Sequence, residues 1–79
     1  MSDKKIEVEA YSGYKGEELP RLLIIDYKKI IVNQILKMWI EERQRDKKRR
    51  RYFEVKGSNG VRYKIYFDED INEWFLSKG

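Results

Sequence analysis

Between Tyr52 and Phe67 the chain carries a pattern that constrains its fold more than any other segment does. Val61, Tyr63, Ile65 and Phe67 alternate with Arg62, Lys64 and Tyr66, while Tyr52-Phe53-Glu54-Val55-Lys56 precedes them across Gly57-Ser58-Asn59-Gly60. Period-2 alternation puts successive side chains on opposite faces, and Asn-Gly tolerates the positive φ of a tight hairpin. The segment therefore predicts a β-hairpin, with Val61, Tyr63, Ile65 and Phe67 facing one way. Asp68-Glu69-Asp70-Ile71-Asn72 reads as a polar turn and Glu73-Trp74-Phe75-Leu76 as a final strand, which extends the hairpin to a meander.

Upstream, Ile6-Glu7-Val8-Glu9-Ala10 alternates apolar and acidic residues, as a half-buried strand does. Two glycines mark 11–16 as a loop, Pro20 suits a sheet edge, and Leu22-Leu23-Ile24-Ile25 is a second apolar run. Residues 28–42 fit two structures. Ile31, Val32, Ile35, Leu36 and Trp39 recur at helical spacing, whereas Ile30, Val32, Leu36, Met38 and Ile40 share one parity broken only by Gln34. β-branched residues favour strand, and no capping residue directly precedes Ile30, so pattern alone leaves the two readings even.

The chain has 79 residues with neither cysteine nor histidine. That length holds one domain and one small core, folded without disulfide or zinc. The same absences remove thiol nucleophiles and every Ser-His-Asp arrangement. With 41% hydrophobic residues and 11 aromatics among them, the chain has the means to fold. Met-Ser-Asp-Lys-Lys at the start lacks a signal-peptide apolar region and no apolar run reaches spanning length, so the expectation is a cytoplasmic protein with no membrane partner.

Charge is concentrated. From Arg43 to Arg51 the sequence RQRDKKRRR holds seven cations (Arg43, Arg45, Lys47, Lys48, Arg49, Arg50 and Arg51) against Asp46 alone. The remainder holds 11 cations and 13 acids, so the chain's +4 belongs to one segment.

Trp39, the charged stretch after it, Arg51-Tyr52-Phe53-Glu54-Val55, Gly60-Val61-Arg62-Tyr63-Lys64-Ile65, Asp68 and Trp74-Phe75-Leu76 together resemble a small prokaryotic all-β domain family of unknown function. That family is similar to the C-terminal tail of polymerase-inactive Y-family DNA polymerase homologues from bacterial mutagenesis cassettes. The resemblance extends to Tyr11, Pro20-Arg21 and Tyr27, and departs from the family pattern at Asp26, where a glycine-containing turn is expected, and in the length and basicity of 43–51. It implies an all-β fold, which assigns 28–42 to strand, and an association with DNA transactions.

The expected architecture is thus one all-β domain over residues 1–79, a bent antiparallel sheet or small open barrel of five or six strands with a basic loop at 43–51. The alternative is an α+β fold with a helix at about 29–45. Trp39, Phe53, Tyr63, Phe67 and Trp74 are assigned to the core.

Lys and Arg neutralise phosphates, so the 43–51 cations are candidate contacts to DNA or RNA, with Arg62, Lys64 and Tyr66 as a supporting cationic and aromatic face for stacking. The alternatives are docking of an acidic protein partner, or a solvated run that blunts a sheet edge. Asp68, Glu69, Asp70 and Glu73 lack metal-loop spacing and suit a polar turn, or ion pairs that hold the basic loop down. Glu7, Glu9 and Glu54 alternate onto solvent faces and mark no cleft, so no enzyme, metal or cofactor is expected.

Overall fold

The computed structural model describes residues 3–12 and 18–77. Six strands follow in chain order: β1 (Lys4–Ser12), β2 (Glu18–Ile25), β3 (Lys28–Glu42), β4 (Arg49–Gly57), β5 (Arg62–Asp68) and β6 (Glu73–Leu76). Each pairs antiparallel with the next and β6 returns to β1, closing a small barrel. The fold is all-β. The helix considered for 29–45 does not form; that span is β3 and the turn that follows it.

Closure depends on two strands that each serve two sheets. β1 pairs through Lys4–Ile6 with β6 and through Glu7–Ser12 with β2, while β3 pairs through Lys28–Ile31 with β2 and from Val32 to Glu42 with β4. β3 makes the change of sheet with two bulges, since Val32 and Gln34 oppose consecutive residues of β4, as do Ile35 and Lys37. A bulge adds a residue, bends the strand and increases its twist. The extra residues, Asn33 and Leu36, account for the mixed periodicity of this segment. The side chains sharing the face of buried Leu23, Val55 and Phe53 are Ile30, Val32, Ile35 and Met38, spaced by two and then three, between the periods of strand and helix.

Pro20 sits where its missing N–H does no harm. It lies next to a bulge at Arg21 and beyond the last β2–β3 pair, Leu22 with Ile31.

The barrel encloses Ile6, Leu23, Ile30, Phe53, Val55 and Ile65, of which Leu23, Val55 and Ile65 are fully buried. Burying each such side chain stabilises by roughly 1.5 to 3 kcal/mol. Trp74 closes one side, its ring 5.6 Å from that of Phe53 and 5.1 Å from that of Phe67. Tyr63 packs on the same cluster. Two assignments change: Val61 falls outside β5 and is exposed, and Trp39 lies on the outer face, opposite Tyr52.

Turn chemistry fixes the hairpins. Between β4 and β5, Gly57 N donates to Val61 O and Gly60 N to Gly57 O, both at 2.9 Å, with Gly60 at φ +82°. This is the three-residue loop that ends in a left-handed residue, and glycine adopts that conformation without strain. Between β2 and β3 the two-residue turn Asp26-Tyr27 has φ 51° and 65°. Two positive φ values in a two-residue hairpin define a type I′ turn, which favours Asn-Gly or Asp-Gly. Asp26 suits it and pairs with Lys4, but Tyr27 is fully exposed and gains no packing in return.

Tyr27→Gly should therefore raise stability by about 0.5 to 1 kcal/mol, which in a domain this small moves Tm upward by about 2 to 8 °C in thermal denaturation followed by circular dichroism. A Tm at or below that of the parent would contradict strain at Tyr27.

Candidate functional site

The basic run divides where β3 ends. Glu41 and Glu42 pair in register with Arg50 and Arg49, and residues 43–48 form the tip of the β3–β4 hairpin. Arg43 N donates to Lys48 O at 3.0 Å, Lys47 N to Arg43 O at 2.7 Å, and Lys48 N to Asp46 Oδ1 at 3.2 Å. The tip is thus a closed turn, and residues 43–49 are all exposed.

Three of the cations are held by the β5–β6 turn. Arg51 Nε lies 2.6 Å from Glu69 Oε2, Arg50 Nε 3.7 Å from Asp68 Oδ2 and Lys48 Nζ 3.8 Å from Asp70 Oδ2. Glu69 N also donates to Arg49 O at 3.1 Å, which ties the turn to β4. These carboxylates are therefore ion-pair partners of the basic segment, and Glu73 pairs with Lys5 at 2.8 Å. Among the described residues no group of three carboxylates is placed to hold a metal ion. Partly exposed pairs of this kind contribute up to about 1 kcal/mol each. Arg43 has only Asp46, at 4.0 Å, whereas Arg45, Lys47 and Arg49 form no ion pair among the described residues.

Lys47 occupies a position that disfavours it. Its φ is 56°, the same as that of Asn72 in the β5–β6 turn, where Asn72 N donates to Asp68 O at 2.8 Å just as Lys47 N donates to Arg43 O. The two turns share one backbone pattern. Asparagine tolerates the left-handed region and lysine does not, at about 1 kcal/mol.

On the outer face, four strands align one aromatic row: Trp39, Tyr52, Tyr66 and Phe75 are successive cross-strand partners from β3 to β6. Ring centroids are 5.2, 5.0 and 5.3 Å apart along the row, and Trp39 and Tyr52 are within 8° of parallel. Such contacts contribute about 0.5 to 1.5 kcal/mol each beyond area burial. Cations cover the row, with Arg50 4.8 Å from the Tyr66 centroid and Lys64 5.7 and 5.5 Å from those of Trp39 and Tyr52. Consequently Tyr52 and Tyr66 are only 7% and 3% exposed although they point away from the barrel.

This places the supporting residues. Tyr66 has a ring neighbour on each side and presents no open stacking face, and Lys64 lies over rings while opposing Glu54. Arg62 is exposed opposite Lys56, six residues along β4 from Arg50, a separation of about 20 Å at strand rise. Arg43 through Arg51 and Tyr66 are brought to one end of the sheet; Arg62 is not. Sequence reasoning missed Trp39 as the head of the outer row, because its face follows from bulges whose local trace, a mixed periodicity, does not say which residues are extra.

The Tyr66 hydroxyl donates to Asp3 Oδ2 at 2.5 Å. Burial pushes the Tyr66 phenol well above the usual tyrosine value, the bond to Asp3 acts in the same direction, and the Arg50 guanidinium opposes both. Unfolded tyrosine ionises near pH 10, so above about that pH the folded state keeps a proton that the unfolded chain has lost, and stability falls as pH rises. Tyr66→Phe should be less stable by about 1 kcal/mol at neutral pH and should lack this part of the alkaline decline. Urea midpoints from about pH 8 to about pH 11 check it, and parallel declines in parent and variant would refute the assignment.

No protein family, no curated protein and no solved structure matches the chain.

Proposed function

We propose that the chain is a small non-catalytic cytoplasmic module that grips the phosphate backbone of nucleic acid with the tip of its β3–β4 hairpin. The observation carrying this reading is that Arg45 and Lys47, on a tip closed by backbone hydrogen bonds beside Arg43, and Arg49 at the start of β4 stand exposed and form no ion pair among the described residues. With its backbone closed before binding, the tip loses less chain freedom on contact than a slack loop would.

The left-handed Lys47 supports the same reading. Where the matching β5–β6 turn holds Asn72, this turn keeps a long cation in the left-handed region at the exposed tip. Lys48, Arg50 and Arg51 act at second hand in this scheme, since each must leave a carboxylate before meeting a phosphate. Recognition through phosphates carries little sequence preference and a steep salt dependence. An association with DNA transactions, which the family resemblance implies, is compatible with such a backbone grip.

The test is a titration of single- and double-stranded oligonucleotides at several salt concentrations. Arg43, Arg45, Lys47 and Arg49 replaced together by alanine should weaken binding at least about tenfold at low salt, uniformly across sequences, and reduce the slope of log K against log salt by about 0.7 to 0.9 per lost contact. Arg62→Ala, at the far end of the sheet, should change it little. Lys47→Asn should raise Tm while weakening binding. Absence of binding at low salt would remove the proposal, and a quadruple variant that binds as the parent does would remove the tip as its site.

A further inference from the structure

Bent strands leave open edges, and the described edges of this barrel differ. Beyond its bulge β2 carries Pro20, which cannot donate, and the stretch of β1 that pairs only with β2 carries exposed Glu7 and Glu9. Proline and charge are the usual means of stopping a sheet edge from recruiting another strand. β3 differs. From Lys37 to Glu42 it is regular, pairs only with β4 among the described residues, and presents Met38 at 50% and Ile40 at 53% exposure on one face and Trp39 on the other.

The segment Lys37-Met38-Trp39-Ile40-Glu41 is also self-complementary when read against itself in the antiparallel direction. With Trp39 opposite Trp39, Met38 meets Ile40 and Lys37 meets Glu41, so apolar opposes apolar and cation opposes acid twice over. Directly opposed residues share a face, and pairs of these types stabilise a sheet by about 0.2 to 1 kcal/mol each. Moving the register by one residue toward the hairpin tip sets Met38 against Glu41 and loses the match.

We propose that this edge is the interface of a homodimer, in which β3 of one copy pairs antiparallel with β3 of a second about a two-fold axis at Trp39. The aromatic rows of the two copies then join through Trp39, where each row otherwise ends without a ring neighbour among the described residues. The two basic tips come to opposite ends of the joined sheet, with their Arg43 residues about 26 Å apart along the strand direction at about 3.3 Å per residue. The inference does not rest on nucleic-acid binding, and its test contains no nucleic acid.

Sedimentation velocity over a concentration series reads the interface directly. The parent chain should show reversible dimerisation, and Lys37→Glu or Glu41→Lys, each of which sets like charges together twice, should weaken it at least about tenfold, or about 1.4 kcal/mol. Mixing the two variants restores both unlike pairs, since one chain is then acidic at both positions and the other basic, so the mixture should form a heterodimer that neither variant matches alone. Because Lys37 also opposes Glu54 and Glu41 opposes Arg50 within the chain, circular dichroism confirms that the variants fold. Amide exchange of the parent over 37–41, which needs no substitution, should slow as concentration rises. A parent that remains monomeric throughout, variants that dimerise as it does, a mixture that gains nothing, or exchange independent of concentration would each overturn the proposal.

Discussion

Everything in this barrel depends on β3 belonging to two sheets. Among the described residues six buried apolar side chains make the central cluster, and a flat meander would leave one side of them wet. Bulges at Asn33 and Leu36 turn β3 from its pairing with β2 to its pairing with β4, and the bend of β1 between β6 and β2 does the same at the other seam. Closure then shields Leu23, Val55 and Ile65 completely. The same bend sends the far end of β3 out along β4 without a neighbour on its other side among the described residues, which yields both the open edge and the hairpin tip.

Electrostatics follow from this layout. The segment 43–51 carries seven cations, but β4 brings three of them alongside the β5–β6 turn, where Asp68, Glu69 and Asp70 wait one for one. Charge is thus neutralised at Lys48, Arg50 and Arg51, beside the acidic turn, and left without ion pairs among the described residues at Arg45, Lys47 and Arg49. On the outer face the row Glu41, Arg50, Asp68, Glu73 sets one cation among three acids, and Lys37, Glu54, Lys64 forms a second mixed row across the aromatics. That face is a packed surface with charged margins rather than a cationic platform, and the field available to an anion is concentrated at Arg43, Arg45, Lys47 and Arg49.

How much of this was legible depended on whether local pattern and global register agreed. In 52–67 they agree except at Val61: alternation, Asn59-Gly60 and the observed pairs of β4 with β5 tell one story, and the ion pairs between the acidic turn and the basic run were among the readings that composition allowed. In 28–42 they conflict, because each bulge shifts parity by one, so helical and strand spacing were both partly present and Trp39 was assigned to the wrong side. Tyr52 and Tyr66 were hidden for another reason. Alternation identifies the face turned away from the barrel, but it does not reveal that rings aligned across four strands, with Arg50 and Lys64 laid over them, make that face dry.

The two ends of β3 share a further property. Tyr27 precedes it and Lys47 follows it, each in the left-handed region, each with an exposed side chain, and each where glycine or asparagine would relax the backbone. Neither conformation is sustained by the residue itself. The pairing of Ile25 with Lys28 imposes the first and that of Glu42 with Arg49 the second, so the barrel's registry supplies the energy that holds these turns in shape. Strain of this kind persists only where surrounding structure over-determines it. At Lys47 the flanking pairs thus fix the direction in which an exposed side chain leaves the backbone at the tip of the hairpin.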